Sequence, residues 1–203
     1  MRKILLYFVI SGIALNFFNI KAQNTILLIS GKKLEIGEFK LSDDMFLLYK
    51  NKKGKNKFAD LRDVFSVKEQ NGKETIFYNV DSTDIESFTI NQMRSFVNGS
   101  FDARSNYKNP WVITGGFVVG AGSAVAVSVV GLNTIIAPVF PALYSGGVGI
   151  IKKNKFDLPD KFKSNPHYMA GYKRAANHKR INNAIIGSGI GMALGIVAII
   201  VFK

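Results

Sequence analysis

The chain has 203 residues, 47% of them hydrophobic, and carries 27 Lys and Arg against 14 Asp and Glu, a formal net charge of +13. It has no cysteine, which excludes disulfides, thiolate nucleophiles and thiolate metal sites. The charge is lopsided. Residues 23–108 hold 14 basic and 12 acidic side chains, whereas residues 152–182 hold 9 and 2. An excess of positive charge between apolar runs points to a membrane surface before nucleic acid.

The chain opens with Met1-Arg2-Lys3, followed by an uncharged stretch from Ile4 to Phe18 and a small residue at Ala22. That is the form of a secretory signal peptide with cleavage near Ala22-Gln23. The alternative is a retained anchor helix. In either case the next domain leaves the cytoplasm.

Five short apolar-alternating runs follow, at residues 25–29, 34–41, 45–49, 64–68 and 75–78. The second changes phase at Gly37, as a β-bulge would make it do. Ser30-Gly31, Ser42-Asp43-Asp44 and Asn71-Gly72 supply turns, and the last predicts a type I′ hairpin. These signals predict a small antiparallel barrel of the SH3-like or Sm-like kind, with an open meander as the alternative. The lysine-rich run Lys50 to Lys57 reads as a solvated hairpin tip. Asp43, Asp44, Asp60 and Asp63 read as solvated turn carboxylates.

Helical spacing begins after residue 88. Thr89-x-x-Gln92 has the form of a capping box, and Ile90, Met93, Phe96 and Val97 share one face. Asn98-Gly99 predicts a helix end, with Ser100 capping a second short helix through Tyr107. Asn109-Pro110 breaks it, and Trp111 stands where an interfacial aromatic belongs.

From Trp111 to Ile151 there are 41 residues without an Asp, Glu, Lys or Arg. A span needs about 20 residues, so this run predicts a transmembrane hairpin, with a single crossing as the alternative. Gly116, Gly120, Ala124 and Ser128 are four apart on the first limb. Gly187, Gly191 and Gly195 repeat that spacing in the uncharged C-terminal run. Small residues at this spacing let helices approach closely in lipid, either within one chain or between copies. Between the runs, Lys173, Arg174, Lys179 and Arg180 suggest a basic helix at headgroup level or one continuing directly into the last span. A hairpin puts this basic loop outside, against the positive-inside rule.

The expected architecture is therefore an α+β membrane protein. It comprises a signal peptide at 1–22, a small β domain at 23–82 and short helices at 83–110. A glycine-rich hairpin at 111–151, a basic segment at 152–182 and a last transmembrane helix at 183–202 complete it. Val64-Phe65-Ser66-Val67 with Asn71-Gly72-Lys73-Glu74, then Gly99-x-x-Asp102-Ala103-x-x-x-Tyr107, and Gly171-Tyr172 with Lys179-Arg180, form a pattern. It resembles that of a group of uncharacterised bacterial exported membrane proteins. The resemblance implies an architecture and no activity.

Catalytic signals are missing from the sequence. No HExxH, P-loop or paired metal carboxylates occur, and His167 and His178 fall in the basic segment, where a cation is repelled. Gly187-Ser188-Gly189 lies inside an apolar run. No catalytic, cofactor or metal residue is nominated. The chain is expected to be a non-enzymatic protein of the bacterial cell envelope, its amino-terminal domain in the periplasm as an interaction module. The alternative is a self-associating glycine-zipper element that alters permeability. Expected partners are membrane lipid, a second copy or another envelope protein, with no nucleic acid and no cofactor.

Overall fold

The computed structural model describes residues 24–42, 45–80, 87–131, 133–151, 156 and 158–202. The signal peptide expected at 1–22 and part of the turn at Ser42 to Asp44 lie outside them. The fold is α+β: one six-stranded sheet followed by helices, two of which are long and apolar enough to cross a membrane. The chain divides into two compact units, residues 24–27 with 34–77, and residues 28–33 with 78–203.

The strands, which lie in the first unit except for the end residues Leu28 and Lys33, are β1 (Asn24–Leu28), β2 (Lys33–Leu41), β3 (Phe46–Asn51), β4 (Asn56–Asp60), β5 (Val64–Lys68) and β6 (Glu74–Ile76). Their order across the sheet is β4-β3-β2-β1-β5-β6, so β1 to β4 form a meander and β5 returns beside β1. Ile26, Ile36, Leu47, Val64, Phe65 and Val67 are buried. The bulge expected at Gly37 is present. Ile36 faces Asn51 and Phe39 faces Tyr49, so three steps along β2 match two along β3.

Two sequence expectations change here. Strand β4 lies partly within the lysine run read as a hairpin tip. The turn is only Asn51 to Lys55, held by the Asn51 side-chain oxygen accepting from the Lys53 and Lys55 amides at 2.9 and 3.0 Å. Gly54 takes a left-handed φ of 72° there. The lysines hid a strand because an edge strand needs little apolar content. The second change is at Asn71-Gly72. A type I′ turn requires positive φ at both residues, and only Gly72 has it, at 86°. The Gly72 amide donates to the Glu69 carbonyl, and the Glu69 amide to Lys73. The connection is thus a longer loop with one left-handed glycine.

The second unit contains α1 (Ile90–Asn106), α2 (Pro110–Val129), α3 (Val139–Ile150), the single turn α4 (Asp160–Lys163) and α5 (Pro166–Phe202). The capping box forms as expected: the Gln92 amide donates to the Thr89 hydroxyl oxygen, and the Thr89 amide to the Gln92 side chain. The helix end expected at Gly99 does not. Helix α1 runs on unbroken to Asn106, because Gly99 is placed for a close helix crossing and not for a left-handed cap. The 37-residue α5 carries the basic segment straight into the apolar run. Of the two arrangements open for Lys173 to Arg180, the continuous helix is the one adopted.

Candidate functional site

The helical unit is built around α5, and small residues set how closely its neighbours approach. On α1 these are Gly99 and Ser100, which meet Tyr168 and Gly171. A Cβ on Gly99 would strike the Tyr168 carbonyl, and one on Gly171 the Phe96 carbonyl. The Ser100 hydroxyl donates to the Gly171 carbonyl at 3.1 Å. Below this crossing Ala103, Tyr107, Tyr168, Tyr172, Ala175 and Ala176 form a buried cluster.

Helix α2 packs on the apolar half of α5 with the predicted glycines between them. A Cβ on Gly120 would strike the Ser188 carbonyl. Cβ atoms on Gly187 and Gly191 would strike the carbonyls of Ile113 and Phe117, and one on Gly195 would sit 2.9 Å from the Ala121 carbonyl. The partners rise together, 113 with 187, 117 with 191 and 121 with 195, so the two helices run parallel. Gly116 and Ala124 are buried in the same seam, and Ser128 at its end is half-buried. Ser188, which the four-residue spacing passes over, is buried and donates back to the Ala184 carbonyl at 2.7 Å.

Parallel helices need a return. Helix α3 supplies it, with the Tyr144 hydroxyl donating to the Val112 carbonyl at 3.0 Å and Val148 packed with Val112 and Ala184. Its 12 residues extend only about 18 Å, less than the roughly 30 Å of a bilayer core, so the second limb of the predicted hairpin is not a full helical span. At the end of α3 the Arg180 guanidinium donates to the Ile151 carbonyl at 2.7 Å, and the Asn177 amide group to Gly149. A cation at a helix C-terminus satisfies carbonyls that have no partner within the helix.

The four basic residues expected at a membrane surface therefore divide. Lys173 and Arg174 are exposed, with Arg174 over the Phe96 ring. Lys179 donates to the Arg104 carbonyl in the last turn of α1 at 2.7 Å. Arg180 is only 7% exposed, which removes it from the surface role. Both of the latter cap helix ends because the chain brings those ends beside them.

No local pattern pairs Asp102 with Tyr168, 66 positions apart. The Tyr168 hydroxyl donates to the Asp102 carboxylate at 2.7 Å. Burial, and then this hydrogen bond, push the Tyr168 pKa above the ordinary tyrosine value of about 10. The folded state thus holds the phenolic proton more tightly than the unfolded state. The resulting stability is present below about pH 10 and declines as the pH rises beyond it. Tyr168→Phe is expected to cost about 1 kcal/mol at neutral pH and to flatten that alkaline decline, as measured by denaturant unfolding from pH 7 upward. A decline as steep as in the unmodified chain would remove Tyr168 as its source. The chain matches no family model, no curated protein and no solved structure.

Proposed function

We propose that the chain is a non-enzymatic membrane-anchored protein of the cell envelope, with α2, α3 and the apolar half of α5 from Ile181 onward in the bilayer and the β domain as an interaction module. The observation that carries the membrane assignment is how side-chain size is distributed on α2 and α5. Their seam holds Gly116, Gly120, Ala184, Gly187, Ser188 and Gly191. Their outer surfaces expose Phe117, Val118, Ile186, Ile190, Leu194 and Val197. A water-soluble bundle has large apolar side chains inside. Small inside and large outside fits a bundle solvated by lipid. The unmodified chain should stay with membranes through an alkaline carbonate wash, and its release would overturn the assignment.

Because α2 and α5 run parallel, the chain before Pro110 and the basic segment after residue 151 leave the bundle at one end. In an exported protein both would be periplasmic. Lys179 and Arg180, the basic residues nearest the last span, are tied to carbonyls, which weakens the case for placing that segment inside. A cysteine at Lys161 should react with an impermeant maleimide in intact cells, and one at Asn133 only after permeabilisation. The reverse pattern would overturn this orientation.

The strand order, with β1 between β2 and β5 and a 3-10 turn at Leu61–Asp63 leading into β5, supports an SH3- or Sm-like reading of the β domain. Phe58 on the edge strand β4 is 70% exposed and Leu48 beside it is 46% exposed. Such an apolar surface on a sheet edge favours protein contact. A photo-crosslinker at Phe58 should capture a discrete protein adduct in cells, and no adduct would count against the module. The self-association reading is weaker, because Gly187, Gly191 and Gly195 already face α2 of the same chain.

A further inference from the structure

A cleft of about 540 Å³ opens in the helical unit beside the α1–α5 crossing. Its floor is the buried Tyr168, with Phe101, Phe162 and Asp102 half-buried around it. Phe162 stacks on Tyr168 at 4.8 Å between ring centroids. Two ammonium groups stand on the rim. Lys33 lies 3.8 Å from the Phe101 ring centroid, and Lys161 lies 4.8 Å from that of Phe162. Among the described residues neither has a carboxylate partner, and the one carboxylate of the cleft, Asp102, is engaged by Tyr168.

Aromatic faces hold the two cations without neutralising them. The cleft is therefore net positive, and it is walled by the neutral amides of Asn98 and Asn165. Lysine ammoniums bind phosphate as point charges, and a phosphate monoester near its dianionic form matches two of them better than a carboxylate monoanion does. Amides and the Ser95 hydroxyl suit the hydroxyls of a polyol.

We propose that this cleft binds a phosphorylated sugar or polyol. The cleft itself does not depend on the membrane reading, since every group in it lies outside the uncharged runs 111–151 and 181–202; only the choice of a free ligand over a lipid rests on that reading. Tyr168 stands 13 residues before Ile181, about 20 Å along α5, which favours a free ligand over the headgroup of a surrounding lipid.

The test is calorimetric titration of the full chain in nonionic detergent with glucose 6-phosphate. Glucose and inorganic phosphate are comparators, and phosphatidylglycerol mixed into the micelles forms a separate arm. The expected result is saturable binding of glucose 6-phosphate, no binding of glucose, and weakening with added salt. The double variant Lys33→Gln, Lys161→Gln should bind about tenfold more weakly or worse, and the matching pair of Arg variants should retain binding. Both lysines are exposed, so folding is preserved and is checked by circular dichroism. A lysine-dependent response to phosphatidylglycerol alone would keep the phosphate chemistry and assign it to a lipid headgroup. No response in either arm, equal binding of glucose, or an unchanged double variant would overturn the proposal.

Discussion

Replacing Gly191 by leucine is expected to separate α2 from α5. The new side chain would enter a space already held by the Phe117 backbone, and a backbone carbonyl cannot rotate aside as a flexible side chain can. Overpacking a core typically costs 1–3 kcal/mol, and an obstruction of this kind belongs at or above the upper end, about 3 kcal/mol. In the bilayer proposed above the loss would be felt in full, because packing contact is what joins helices in lipid. The same change at Gly189, two positions away, is the control. Nothing lies within 4 Å of a Cβ at that position, and leucine is the better helix former by about 0.8 kcal/mol. Thermal unfolding in detergent should therefore show Gly191→Leu melting well below the unmodified chain and Gly189→Leu at or above it. Equal behaviour of the two variants would mean that the glycines mark composition and not contact.

The contrast between Gly191 and Gly99 shows what a sequence carries and what it does not. Gly187, Gly191 and Gly195 declare a packing face because the spacing repeats inside one uncharged run. Gly99 is a single glycine after Asn98 near a helix end, and locally it looks like a left-handed cap. Its actual role depends on the backbone of Tyr168 and Tyr172, some 70 positions later, and no local pattern encodes that meeting. The Thr89 to Gln92 box was readable because both of its bonds close within four residues. Lys179 and Arg180 were readable as charges but not as caps, since the carbonyls they hold belong to Arg104 and Ile151 on other helices. Strand β4 was concealed for a different reason. As an edge strand it tolerates the lysines that made it resemble a loop.

The direction of packing was not readable either. Two stripes of small residues fit together equally well parallel or antiparallel, yet the choice fixes how often the chain crosses between them. Parallel dipoles repel weakly, and the antiparallel α3 between the polar ends, with Arg180 at its C-terminus, offsets part of that cost. Cysteine pairs decide the matter in a chain that has no cysteine of its own. Ala124→Cys with Gly195→Cys is expected to close a disulfide within one chain under mild oxidation. A Cβ on Gly195 would lie 2.9 Å from that of Ala124, and its contacts are the loosest of the three stripe glycines. A small outward shift brings the pair to the usual spacing of about 3.8 Å. Ala124→Cys with Gly187→Cys should not close, because eight residues displace the second thiol by about 12 Å along the helix. The readout is a shift in gel mobility of the monomer, reversed by reductant. Efficient closure of the second pair and not the first would make the helices antiparallel. Closure of the first pair only as a dimer would move the glycine seam from within the chain to between two copies.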